Sequence, residues 1–201
     1  GPPLYDACYL GRFHPSKGIL DLVSIWRSVC DRRPGSTLAV IGTGRQSVVD
    51  KFAREVQVNH LDDVITIYGY LPRDEADRVL SSSKTFLLPS REEGFGISLL
   101  EAMSYGVPPV AYGLTHFGDI FGEALTTAPI GNVQEFAEKA LELLEDEALR
   151  EKKATVSREF AAGFSWEIVA PREVEAIASA IHSAESLQAT GEGSSKDDNR
   201  R

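Results

Sequence analysis

Two carboxylates and two glycines fall within one short run of the sequence: Glu93, Gly94, Gly96 and Glu101. Gly94 and Gly96 flank Phe95, so backbone there can pass close to a ligand where a Cβ would obstruct it. From Ile97 the apolar residues Leu99, Leu100, Ala102 and Met103 keep helical spacing, and Gly106 with Pro108 stops the helix. A loop that runs into a helix N-terminus offers free N–H groups and the positive end of the dipole, which together make an anion site. Bare carboxylates repel phosphate, but an ionised carboxylate accepts hydrogen bonds from hydroxyl groups. The local chemistry therefore reads as phosphate at the helix N-terminus and hydroxyls at Glu93 and Glu101. The plainer reading is a glycine turn before an ordinary helix, with Glu101 on its wet face.

A second candidate lies near the start of the chain. Residues 5–11 read as a strand, residues 12–18 as a polar loop with Arg12, Lys17 and a closing glycine, and residues 19–32 as an amphipathic helix. Ligands of open α/β sheets bind beyond the carboxyl ends of strands, where Gly11, Arg12 and Lys17 fall. Two cations there can neutralise a diphosphate, Arg through a forked contact and Lys as a point charge. Two solvated loop cations are the plainer alternative.

The elements that must position these residues follow in order. Strands are expected at 37–41, 64–68, 85–88, 107–112 and 126–128, with helices at about 47–58, after Asp74, from Ile97, 133–145 and 148–162, and a last one after Ser165 to about 187. Asn132 with Glu135 three residues on is close to a capping box. Alternating strands and helices give an α/β fold, a Rossmann-like three-layer α/β/α arrangement of about six parallel strands. The G-x-G at 42–44 lacks a third glycine at dinucleotide-binding spacing and reads as a tight turn, with the lining of a nucleotide pocket as a further role open to it. Residues 1–187 are expected to form one domain and 188–201 a disordered tail without apolar residues to bury.

The run E-G-F-G-I-S-L-L-E-A-M-S-Y-G-V-P, from Glu93 to Pro108, resembles the E-x-x-x-x-x-x-x-E signature of retaining glycosyltransferases of GT-B fold, family 4 in particular. G-R-x-x-x-x-K-G, from Gly11 to Gly18, is similar to that family's diphosphate-binding segment. The resemblance covers nearly the whole chain and implies the C-terminal, donor-binding half of such an enzyme. It implies a nucleoside-diphosphate sugar as donor, with Glu93 at the transferred sugar and Arg12 and Lys17 at the diphosphate. It also implies Gly94, Phe95, Gly96 and Ile97 at sugar and phosphate, Glu101 at the ribose, and the run from Tyr68 to Leu71, Tyr70 and Leu71 above all, beside the nucleobase. An acceptor domain on the N-terminal side, retention of anomeric configuration and a membrane-peripheral acceptor among the partners are further implications. The family's usual Gly-Gly-x-x-Glu is replaced here by the segment from Gly113 to Gly122, a departure that bears on the sugar-side loop. Two other functions stay open: a non-catalytic nucleotide-sugar-binding module, and a GT-B epimerase acting on a nucleotide sugar.

Composition bounds the rest. The chain has 201 residues, 42% of them hydrophobic and 25% charged, which suits a globular domain with a real core. A net charge of −9 argues against nucleic acid as a partner. Cys8 and Cys30 form no C-x-x-C and read as free thiols of a reducing cytoplasm, and no secretory-signal pattern appears. The histidines His14, His60, His116 and His182 show no ligand spacing and no D-x-D is present, so no metal cofactor is expected. No serine or cysteine nucleophile motif appears either.

Overall fold

The structure, a computed structural model, describes residues 3–192. Its elements are β1 (Tyr5–Leu10), α1 (Ile19–Arg32), β2 (Leu38–Ile41), α2 (Gln46–Val58), β3 (Ile65–Gly69), α3 (Arg73–Ser81), β4 (Ser83–Leu88) and α4 (Ile97–Ser104). They continue with β5 (Pro109–Tyr112), α5 (Phe117–Phe121), β6 (Thr126–Ala128), α6 (Val133–Glu145), α7 (Glu147–Ala162) and α8 (Trp166–Glu192). The six strands form one parallel sheet in the order β3-β2-β1-β4-β5-β6. The order reverses between β1 and β4, so the two loops that leave these neighbouring strands open a crevice at the sheet's carboxyl edge. Rossmann-like α/β architecture is thus what the alternation of elements predicted.

The inner strands are buried on both faces, which is why they read as continuous apolar runs. Ala7, Cys8 and Tyr9 of β1, all of β2, and Phe86, Leu87 and Leu88 of β4 are almost wholly shielded from water. The α1 helix adds Ile19, Leu22, Val23, Ile25, Trp26 and Val29, apolar positions three and four apart on one stripe. Cutting Trp26 back to Ala would cost about 3–5 kcal/mol. Cys8 and Cys30 are free and buried, and burial pushes the Cys8 thiol up to about 12. At the Asn132 cap the side-chain oxygen accepts from Glu135 N at 3.1 Å. The Glu135 carboxylate accepts from Asn132 Nδ2 at 3.0 Å, where a capping box would use the backbone N–H.

At the amino edge of the sheet, Asp6 ties four segments together. Its Oδ1 pairs with Lys84 Nζ at 2.7 Å and with Arg33 at 3.0 Å, while Oδ2 accepts from Thr37 N at 3.0 Å. Burial pushes the Asp6 carboxyl up, but the Lys84 and Thr37 hydrogen bonds and the Arg33 charge outweigh it and hold it below the usual carboxylate range.

The chain divides into two compact units, one ending at Ala161 and one beginning at Ala162. The sheet lies in the first. The second carries α8, whose Trp166, Ile168, Val174, Ile177 and Ile181 are solvent-exposed. That helix continues through residues 188–192, beyond its expected end, because adding a residue to a formed helix costs far less than starting one. The remainder of the expected tail, 193–201, lies outside the described residues.

Candidate functional site

The loop after β1 and the loop after β4 are clasped to each other through backbone. Arg91 N and Glu92 N donate to the Ser16 carbonyl at 2.7 and 3.3 Å, and Ser90 Oγ donates to it at 3.3 Å. Gly18 stands in the left-handed region at φ 63°, and a Cβ there would lie 1.7 Å from the Pro89 carbonyl oxygen. Only glycine permits that approach, which explains the glycine after Lys17. Between strand and helix, Pro15–Lys17 form one 3-10 turn capped by His14, whose Nδ1 accepts from Ser16 N at 3.2 Å. The loop after β2 braces the first from the other side. A Cβ on Gly42 would come within 1.9 Å of the Gly11 carbonyl oxygen, and one on Gly44 within 2.1 Å of that of Phe13. The G-x-G at 42–44 therefore supports the Arg12 loop and lines neither cavity described below.

This clasp brings Lys17 and Glu93 together across 76 positions of sequence. Lys17 Nζ lies 2.8 Å from Glu93 Oε1 and donates to the Glu92 carbonyl at 3.0 Å, and both side chains are mostly shielded. Arg12 is exposed beside them, and among the described residues its guanidinium takes no hydrogen bond or ion pair. Beneath the pair the buried Tyr9 donates to the Arg12 carbonyl at 3.1 Å. Burial and the Glu93 charge push that phenol up, so it stays protonated and keeps the bond.

From Glu93 the chain turns through Gly94, Phe95 and Gly96 into α4. Gly96 sits at φ 88° as the N-cap and supplies no side-chain cap. The N–H groups of Ile97 and Ser98 have no backbone acceptor among the described residues, since no helical turn precedes them; the first carbonyl of the helix, that of Gly96, accepts from Leu99 and Leu100. A Cβ on Gly94 would meet nothing within 4 Å, so internal packing does not require glycine there. Phe95 leans on Phe121 at 5.9 Å between ring centroids. Phe121 in turn meets Phe117, and Phe117 meets His116.

Two cavities open on either side of the Lys17–Glu93 pair and share Lys17, Glu93 and Gly94. One, of about 450 Å³, runs along Gly11, Gly96, Ile97 and Ser98 to Glu101. The other, of about 480 Å³, is lined by Arg12, Ser16, Arg91, Thr115 and His116. Arg91 there is already engaged, paired with Asp21 at 2.7 Å with its guanidinium over the Tyr112 ring.

Glu101 is not bare. Its Oε1 accepts from Arg73 at 2.6 Å, and Arg73 also bonds Asp77 Oδ2 at 2.9 Å. Of the residues singled out from sequence, Gly11, Lys17, Glu93, Gly94, Phe95, Gly96, Ile97 and Glu101 line the first cavity and Arg12 the second. Tyr70 and Leu71 leave β3 at the same edge of the sheet but line neither, with Tyr70 highly exposed. Sequence reasoning missed Arg73 and the α5 helix, and reached Thr115 only as part of the 113–122 segment. Phe117, Ile120 and Phe121, three and four apart, were the available signal for α5, obscured by Gly118 and Gly122. Arg73 left no signal toward Glu101, because 28 residues separate them.

The family model described as glycosyl transferases group 1 matches residues 4–160. The O-antigen chain mannosyltransferase B of Escherichia coli is 29% identical over 161 residues, which is 80% of this chain and 42% of that protein. The 2-deoxystreptamine glucosyltransferase of Streptomyces kanamyceticus is 32% identical over 79% of this chain and 39% of its own length. A solved structure of an S. aureus TarM variant, in complex with fondaparinux, alpha-GlcNAc-glycerol and UDP, superposes with a TM-score of 0.77 at 22% identity. That match covers 87% of this chain and 36% of the other. The chain thus spans about two fifths of the length of these curated relatives. With its parallel sheet and the two loops at the switch point, it belongs to the group 1 glycosyl transferases and has the fold of their C-terminal, GT-B-type domain.

Proposed function

We propose that this chain is the donor-binding half of an enzyme that transfers a hexosyl group from a nucleoside-diphosphate sugar. The observation that carries the reading is the Lys17–Glu93 pair, set between two cavities beside an unpaired Arg12 and the uncapped N-terminus of α4. The diphosphate lies where Arg12, Lys17 and the free N–H groups of α4 converge. Its negative charge, which grows as the sugar departs, is met by fixed donors and cations without a metal ion. Glu93 accepts from hydroxyls of the transferred sugar, and Glu101 from those of the ribose. Gly94 lets the donor pass close to backbone, which accounts for a glycine that packing does not demand.

On this reading the donor redistributes the partners already present. Lys17 leaves Glu93 for the diphosphate, and the carboxylate it releases turns to the sugar. A donor carrying both groups satisfies both halves of the broken pair, whereas a nucleoside diphosphate leaves Glu93 without its cation. The solved TarM complex with UDP supports a nucleoside diphosphate as ligand. Retention of configuration, a separate N-terminal acceptor domain, a membrane-peripheral acceptor and a cytoplasmic location belong to the same proposal. Among the described residues no helix is long and apolar enough to cross a membrane.

The test is binding and turnover by the purified chain. Calorimetry with a panel of nucleoside diphosphates and their sugars is expected to find one pair that binds, while transfer to any acceptor stays far below that of full-length relatives. Without a second domain to exclude water and orient an acceptor, chemistry lacks its positioning term. Binding of no member of the panel, or robust transfer by this chain alone, would overturn the proposal.

A further inference from the structure

We propose that Arg73 is a positioning residue of the site: it holds one oxygen of Glu101 and so presents the other to the ligand's ribose. The inference rests on the donor-site reading above. Arg73 opens α3, and Glu101 lies in the second turn of α4, so their 2.6 Å contact joins two helices that sequence separates by 28 residues. The same guanidinium bonds Asp77 through Nε at 2.9 Å, and Tyr105 stands against both Asp77 and Arg73. An arginine bonded through two edges of its planar fork is fixed in direction even though its side chain is 66% exposed. The short distance is that of a charge-assisted bond, the stronger kind.

Consequences for Glu101 follow from its inventory of acceptors. Its side chain is only 20% exposed, and Oε1 is taken by Arg73. Among the described residues Oε2 accepts no hydrogen bond. A carboxylate oxygen has two lone pairs, which matches the two donors of a vicinal diol. Glu101 lines the cavity that runs from Lys17 past the α4 N-terminus, while Arg73 lines neither cavity and so acts through Glu101. A lysine at position 73 keeps the charge but lacks the planar fork, so it fixes the direction of the Glu101 carboxylate less firmly.

The experiment is calorimetry on the full 201-residue chain with UDP, ADP and GDP, the 2′,3′-dideoxy counterpart of whichever binds, and inorganic pyrophosphate. For the unchanged protein the ribose form is expected to bind at least about tenfold tighter than the dideoxy form, the size of a charged hydrogen bond. Arg73→Ala should cut that ratio to about twofold or less while pyrophosphate affinity holds, and Arg73→Lys should restore part of it. An undiminished ratio in Arg73→Ala, a rise in it, or equal losses for all three ligands overturns the proposal. Glu101→Ala separates this failure from a deeper one. If the ratio survives loss of Glu101 itself, or no nucleotide binds the unchanged chain, then the reading of the site has failed and the role of Arg73 falls with it.

Discussion

Glu93 and Glu101 stand eight residues apart, both shielded and both paired with a cation across long stretches of sequence, yet the two pairs are built for opposite fates. The partner of Glu93 is Lys17, 19% exposed and on the loop with Arg12, so it is itself the cation an incoming diphosphate would claim. The partner of Glu101 is Arg73, which lines neither cavity and is tied a second time to Asp77. On the proposed reading, a ligand exchanges the first pair and keeps the second. Asp6, at the other end of β1, shows the third arrangement: two cations and a backbone N–H, with no ligand role.

The largest expected effect breaks the first pair from its cationic side. Lys17→Ala and Arg12→Ala should each weaken nucleoside diphosphate binding by about 1.5–3 kcal/mol, the cost of a charged hydrogen bond, while binding of the free nucleoside barely changes. Calorimetry that finds equal losses for nucleoside and diphosphate would mean that these cations do not face the phosphates.

Asp6 should behave as the structural control. Asp6→Ala is expected to lower stability by about 2 kcal/mol through lost charged hydrogen bonds, and to leave nucleotide affinity unchanged in chain that remains folded. Because its folded carboxyl is held below the ordinary value, its contribution is complete above the unfolded pKa of about 3.9. That contribution is lost as pH falls through the lower folded value. Denaturant melts of Asp6→Asn should therefore run closer to those of the unchanged protein at pH 3 than at pH 7. A constant gap between them at every pH would remove Asp6 from the acid response.

Much of this architecture was legible because it depends on local chemistry. The apolar runs of the buried strands, the stripe on α1 and the Asn132 cap are all written within a few residues. The glycines at 94 and 96 were legible as positions without a Cβ and Gly18 as the end of a loop, but what makes Gly18 obligatory is a carbonyl oxygen 71 residues away, at Pro89. The partners of the carboxylates were not legible. Lys17 and Glu93 were each singled out, one for phosphate and one for hydroxyls, but nothing in either loop says that they hold each other. Arg73 drew no notice in the sequence: its pairing with Asp77 four positions on is an ordinary helix contact, and its second bond exists only once α3 and α4 are packed. The G-x-G at 42–44 was legible as a tight turn, but its work is to let two loop backbones meet.

The most direct test of the account is calorimetry on Glu93→Gln and Glu101→Gln with three ligands: the nucleoside diphosphate, its deoxy analogue and the matching nucleotide sugar. With Lys17 released from its ion pair, Glu93→Gln should bind the diphosphate as well as the unchanged chain or up to a few-fold tighter, since that pair no longer has to be broken. It should lose the increment that the sugar adds. Glu101→Gln should weaken diphosphate and nucleotide sugar alike and shrink the preference for ribose over deoxyribose. A change in ribose preference at Glu93, or diphosphate binding that falls in Glu93→Gln as far as sugar binding does, would contradict the assignment of one carboxylate to the sugar and the other to the ribose.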